Sequence, residues 1–143
     1  MKKVISVLLL LALACTLFGC KGQKTTNANG TPAQFSVGYC KVNITPEERV
    51  ALGGYSNPAF RTMQNILDDM YATAVAFADT EGNIVLLINT DLLRSYQNYN
   101  PATQQRIAEA TGIPAEQIVI TCNHSHSVPD LNYSAPETDR YKE

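Results

Sequence analysis

The stretch Ile118-Val119-Ile120-Thr121-Cys122-Asn123-His124-Ser125-His126-Ser127-Val128-Pro129-Asp130 decides how the rest of the chain is read. Its opening residues are β-branched and suit a buried strand, and they run straight into a loop that holds both histidines of the protein. If the segment stays extended, side chains two apart leave on the same side, so Cys122, His124 and His126 share a face. A strand end with solvated or hydrogen-bonded imidazoles accounts for the same spacing, since a metal site needs three or four ligands. Upstream, Ile84-Val85-Leu86-Leu87-Ile88 is a continuous apolar run followed by Asn89-Thr90-Asp91. Asn100-Pro101 then opens a helix as cap and first-turn proline, Ala102 to Thr111 continue it with good helix formers, and Gly112 ends it. Strand, helix and strand in this order make a βαβ unit, whose strands lie parallel. Their carboxyl ends share one rim of the sheet, where open α/β sheets place ligand sites, so Asp91 and the histidine loop are expected together there. Taken alone, Asp91 reads more readily as a helix cap or a loop carboxylate than as a site residue.

The remaining elements lie before this unit. Asp69 to Asp79 alternates, with Tyr71, Thr73, Val75 and Phe77 on one side and alanines on the other, and Thr80-Glu81-Gly82-Asn83 is turn chemistry. The expectation is a hairpin whose second strand, Ile84 to Ile88, is central and covered on both faces. Phe35 to Ile44 reads as a further strand with Gly38 as the place for a bulge. Pro46-Glu47-Glu48-Arg49 reads as a short helical turn capped by Thr45, and Leu52-Gly53-Gly54-Tyr55-Ser56-Asn57-Pro58 as a loop whose glycines let the backbone pass close to something else. The fold class is therefore α/β: a β-hairpin followed by a βαβ unit in a mixed sheet. Asp130 to Glu143 shows no strand or helix signal strong enough to close a domain.

Residues 1–19 stand apart from the fold. Lys2 and Lys3 precede an uncharged apolar run, Val4 to Phe18, which has the form of a secretory signal core and is shorter than the ~20 residues of a membrane-spanning helix. Leu17-Phe18-Gly19-Cys20 resembles the lipobox of bacterial lipoproteins. That resemblance implies cleavage before Cys20, lipid on its sulfur, and a lipid-anchored, extracytoplasmic place in the bacterial cell envelope with the membrane as partner. Residues 20–33 then form the lipidated cysteine and a small, polar, flexible tether, and residues 34–143 the folded part.

Of 11 basic side chains, Lys2 and Lys3 leave with the signal, so nine face 13 acidic ones and the net charge becomes −4. The chain has no basic stripe of the kind that phosphate backbones require, which excludes nucleic acid as an expected partner. With Cys15 in the signal and Cys20 lipidated, Cys40 and Cys122 remain, either paired in an oxidising compartment or buried as free thiols.

Several stretches together resemble the neutral/alkaline ceramidases, zinc-dependent amidases that release the fatty acid from N-acylsphingosine. Gly38-Tyr39-Cys40-Lys41-Val42-Asn43-Ile44-Thr45 is similar to that family's opening glycine followed by Asp-Ile-Thr. Gly54-Tyr55 matches its Gly-Tyr, Asp69-Met70-Tyr71-Ala72-Thr73-Ala74 its strand before the hairpin, and Asn89-Thr90-Asp91-Leu92 its Asp-Leu. Asn123-His124-Ser125-His126-Ser127-Val128-Pro129, the most specific of these, is similar to Thr-His-Thr-His-Ser-Gly-Pro. The resemblance covers Val37 to about Asp130.

It implies that His124 is a zinc ligand and that His126 faces the reacting carbonyl or stands just behind the metal. The substrate class would be an N-acyl lipid whose amide is attacked by zinc-activated water. Zinc chemistry agrees: neutral imidazole suits the ion, and a catalytic site keeps a position open for water. Asp91 is expected to orient an imidazole through its second nitrogen. Departures from the family pattern are Asn43 in place of aspartate, Cys122 and Asn123 in place of small or threonine-like residues, and Val128 and Asp130 where glycine is common; glycine tolerates positive φ and valine hardly does. The family takes a further histidine, a glutamate and a tyrosine from later sequence, so residues 34–143 read as the amino-terminal part of a truncated catalytic domain, inactive alone. Two other classes remain: a surface-tethered ligand-binding lipoprotein without chemistry, and a metal hydrolase of the amidohydrolase type, against which the preceding hairpin and lone βαβ unit argue.

Overall fold

The structure is a computed structural model and describes residues 35–55, 57–94 and 100–142. Cys20 and the tether lie outside the described residues.

One four-stranded sheet organises the chain, in the order β1 (Phe35–Asn43), β2 (Tyr71–Asp79), β3 (Ile84–Thr90) and β4 (Ile118–Cys122). The first three strands are antiparallel neighbours, and β3 and β4 are parallel, joined through helix α1 (Asn100–Thr111). This is the hairpin followed by a βαβ unit. Gly112 closes α1 in the left-handed region, with φ 75° and its N–H on the carbonyl of Ala108 at 2.8 Å, as a glycine after a helix end does at no steric cost.

Register separates the two faces of the sheet. One face carries the rows Gly38, Ala76, Leu86, Ile118; Cys40, Ala74, Ile88, Ile120; and Val42, Ala72, Thr90, Cys122. It packs against Ile107 of α1 and Leu92, Leu93, Val128 and Leu131 of the loops, and Ile88, Ile107 and Ile118 are at most 1% exposed. The alanines of β2 let this layer close tightly. The opposite face carries Val37, Phe77, Val85 and then Tyr39, Val75, Leu87, Val119. Here Val37 is 57%, Tyr39 66% and Val119 44% exposed. The expectation that β3 is covered on both faces thus fails among the described residues: its apolar run spans one packed face and one bare one.

Three further expectations change. Pairing runs without interruption from Phe35↔Asp79 to Asn43↔Tyr71, so Gly38 makes no bulge. Residues 46–49 form a bend and no helical turn, while a 3₁₀ turn forms at Pro58–Phe60, where the Asn57 side chain accepts from Ala59 N–H at 3.0 Å. A short helix, α2 (Pro136–Lys142), follows the histidine loop where the sequence shows no strong signal. Cys40 and Cys122 are both free and sit on the two outermost strands. Three strand spacings, about 14 Å, separate those strands, far beyond the reach of a disulfide.

One excursion matters for the site. Residues 50–63 leave the sheet and return beside 128–130, held by Leu52 N–H to Arg61 O at 2.7 Å, Gly53 N–H to Val128 O at 3.0 Å and Asp130 N–H to Ala51 O at 2.9 Å. The glycine loop is thereby laid against the histidine loop.

Candidate functional site

Strand β4 ends at Cys122, and the chain turns at once: His124 has φ 61°, the only positive φ outside glycine among the described residues. The two histidines therefore do not share a side because a strand alternates. A left-handed residue folds the loop back, and His is one of the few side chains found there with any frequency. Cys122 stays behind on the packed face with the core, so the three side chains do not converge. Val128 has no positive φ and is 3% exposed in the core, so the loop needs no glycine at that place.

The imidazoles nevertheless meet. His124 Nε2 lies 3.2 Å from His126 Nε2, with the rings edge-on at 4.8 Å between centroids. His124 Nδ1 lies 2.6 Å from the carbonyl of Leu93, just past β3. A carbonyl only accepts, so Nδ1 carries the hydrogen, and in the neutral ring Nε2 is left with a lone pair pointing at His126. His126 Nδ1 is buried and has no partner among the described residues. Its ring is placed by packing: the Tyr55 ring stands edge-on at 4.7 Å, and a Cβ on Gly54 would lie 2.5 Å from its Cγ.

Asp91 reaches the same rim but touches neither imidazole in this arrangement. Its Oδ2 accepts the Tyr71 backbone N–H at 2.7 Å and its Oδ1 accepts the Asn123 side-chain N–H at 2.7 Å. Asn123 in turn accepts Ser125 N–H at 3.2 Å. The orienting contact expected of Asp91 is made on His124 by Leu93, and Asp91 braces the foot of the loop. Asn43, at the family's aspartate position, uses its side-chain oxygen to accept Thr45 N–H at 2.7 Å, which a carboxylate would do equally.

On the other side of the loop a cavity of about 540 Å³ opens, lined among others by Asp68, Asp69, Asp91, Asn123, Ser125 and Ser127. Neither imidazole lines it. Loop residues thus alternate between serines facing the cavity and histidines facing each other.

Two imidazole nitrogens 3.2 Å apart fit one half of a zinc coordination shell. Two donors at ~2.0–2.1 Å on a tetrahedral ion stand roughly 3.3 Å from each other. Among the described residues no group of three or more His, Cys, Asp or Glu side chains is placed to hold a metal ion. The described residues thus fit zinc as a pair of donors and no more.

No family model matches the chain, and no curated protein matches it. Solved structures do. One is described as a ceramidase complexed with C2, with TM-score 0.61 and 25% identity over 68% of this chain. The fold is ceramidase-like. Neutral ceramidase from Pseudomonas aeruginosa matches at TM-score 0.57 and 23% identity over the same share. The chain spans 16% of the length of each of these ceramidases.

Proposed function

We propose that this chain supplies part of the catalytic site of a zinc-dependent hydrolase that cleaves the amide of N-acyl lipids of the N-acylsphingosine kind. The observation that carries the reading is the meeting of His124 Nε2 and His126 Nε2 at the carboxyl rim of a ceramidase-like sheet, with His124 Nδ1 already tied to a carbonyl. Zinc, when bound, supplies Lewis acidity and lowers the pKa of water to ~7. Leu93 holds the His124 proton on Nδ1 and so leaves Nε2 free for the ion. His126 Nε2 faces the same space 3.2 Å away, placed to be the second donor of the pair and within reach of the oxygen of a carbonyl bound there. The further ligands come from outside the described residues, so the chain alone is expected to bind zinc weakly and to release negligible fatty acid from N-acylsphingosine. Titration with Co²⁺, followed by its visible absorption, tests the donor assignment. Binding should disappear in His124→Ala, and equal binding by parent and variant would sink the reading.

The same proposal includes anchoring through Cys20 at the bacterial cell envelope, supported by the lipobox-like Leu17-Phe18-Gly19-Cys20. Labelling of cells with a radioactive fatty acid should mark the parent and leave Cys20→Ala unmarked; a labelled variant rejects the anchor. One observation favours a second reading, a tethered ligand-binding domain without chemistry: the cavity beside Asp91 contains no imidazole. That reading predicts no metal in the protein at any length.

A further inference from the structure

His126 presents a physical puzzle. Working histidines are ordinarily aimed by a hydrogen bond on their second nitrogen. His124 follows this rule through Leu93, whereas His126 Nδ1 is buried without a partner among the described residues. Something else must hold that ring, because an unpaired buried nitrogen gives it no preferred direction.

The contacts around it lead to Arg61. Its guanidinium donates from Nη1 to the Gly53 carbonyl at 2.8 Å, and from Nη1 and Nη2 to the His126 carbonyl at 3.4 and 3.3 Å. The same group lies 5.0 Å from the centre of the Tyr55 ring, within cation–π range. Tyr55 stands edge-on to His126, and Gly54 gives the imidazole its floor by lacking a Cβ. A closed circuit results: guanidinium to Tyr55, Tyr55 to the His126 ring, and the His126 carbonyl back to the guanidinium. Its two halves come from loops far apart in sequence, and the planar fork is suited to joining them because it donates to two acceptors at once. Lysine has donors enough for two carbonyls, but its compact ammonium lacks the wide planar fork that spans both carbonyls and the ring together.

Resting on the zinc reading above, we propose that Arg61 is a positioning residue: by joining the Gly53 and His126 carbonyls and lying over the Tyr55 ring, it aims His126 Nε2 at His124 Nε2. Arg61 touches neither imidazole ring nor any reacting atom in this role. The arrangement lets the His126 ring stay fixed while its second nitrogen has no partner among the described residues.

The full chain in detergent micelles, metal-free, provides the first test. Ring-to-ring nuclear Overhauser contacts between Tyr55 and His126 should be present in the parent, absent in Arg61→Gln and partly restored in Arg61→Lys. Affinity for Co²⁺ should fall about tenfold or more in Arg61→Gln with unchanged far-UV dichroism, the size typical when a support behind a metal ligand is removed. Unchanged ring contacts and resonances in Arg61→Gln would overturn the proposal. If the parent binds no cobalt, the zinc reading fails, and the metal-free ring contacts still decide the role of Arg61. Should Arg61→Gln not fold, nitrogen-15 spectra of the unaltered chain decide: hindered rotation of the Arg61 guanidinium is expected, and free rotation rejects the circuit.

Discussion

At Gly54 the backbone has φ 96°, and an added Cβ would approach the Cα, Cβ and Cγ of His126 to within 2.5–2.8 Å. Both the conformation and the contact exclude a side chain. Gly54→Ala is expected to cost about 1–3 kcal/mol of stability through backbone strain, read as a lowered urea midpoint together with shifted His126 ring resonances. A midpoint equal to the parent's would contradict the packing described. Much of this was open to a sequence reader: two adjacent glycines announce a close approach, and two histidines two apart announce a pair. The partner of the close approach was not, because His126 lies in another loop and only the fold brings it over Gly54. The reason the histidines meet was also hidden. Alternation along a strand predicts the right side, yet the cause is the left-handed His124, which the sequence does not mark. Leu93 acts through its carbonyl, a group that every residue carries, so no side-chain pattern could reveal it.

Among the elements, the β2–β3 hairpin has a signature that can be measured. Asp79 accepts the Asn83 side-chain N–H at 2.7 Å and the backbone N–H groups of Asn83 and Glu81 at 2.9 Å each. These bonds, the Asn83 side chain first, hold its carboxyl below the usual aspartate range. A folded pKa below the unfolded one gives stability that is present above the unfolded value and lost as pH falls through the folded one. Asp79→Ala should therefore melt lower than the parent at neutral pH, with the difference closing as the pH drops below about 3.9. A difference independent of pH would assign the effect to something other than the carboxylate. The hairpin and the βαβ unit were legible because turn residues, apolar runs and the Asn-Pro and Gly boundaries of α1 all agree. Helix α2 was not: it has seven residues and no apolar period, and its signals are the local ones of Pro136 and an acidic first turn. The bare face of β3 was equally invisible, since a continuous apolar run reads the same whether one face or two are covered.

For the molecule as a whole, the side of the sheet left open among the described residues should govern behaviour in solution. Val37, Phe77 and Val85 form one exposed row and Tyr39, Leu87 and Val119 a second beside it. Contiguous apolar surface of this kind, beyond a few hundred Å², marks a face that normally lies against something. The chain by itself should bind a hydrophobic fluorescent dye and associate with rising concentration in sedimentation runs. Val37→Lys combined with Leu87→Lys should reduce both without changing far-UV dichroism. A parent chain that stays monomeric and dark with dye would mean the face is already covered. The edge at β4 has a wider consequence. Among the described residues this strand has a strand neighbour on one side only, and its last residue, Cys122, leads directly into the loop where the imidazoles meet. A segment that pairs with β4 as far as Cys122 would end beside that loop, so on the proposed zinc reading extending the sheet and completing the donor set would be coupled. Zinc would then act as a linkage ligand of the assembled protein, raising its melting point while leaving the isolated chain's almost unmoved.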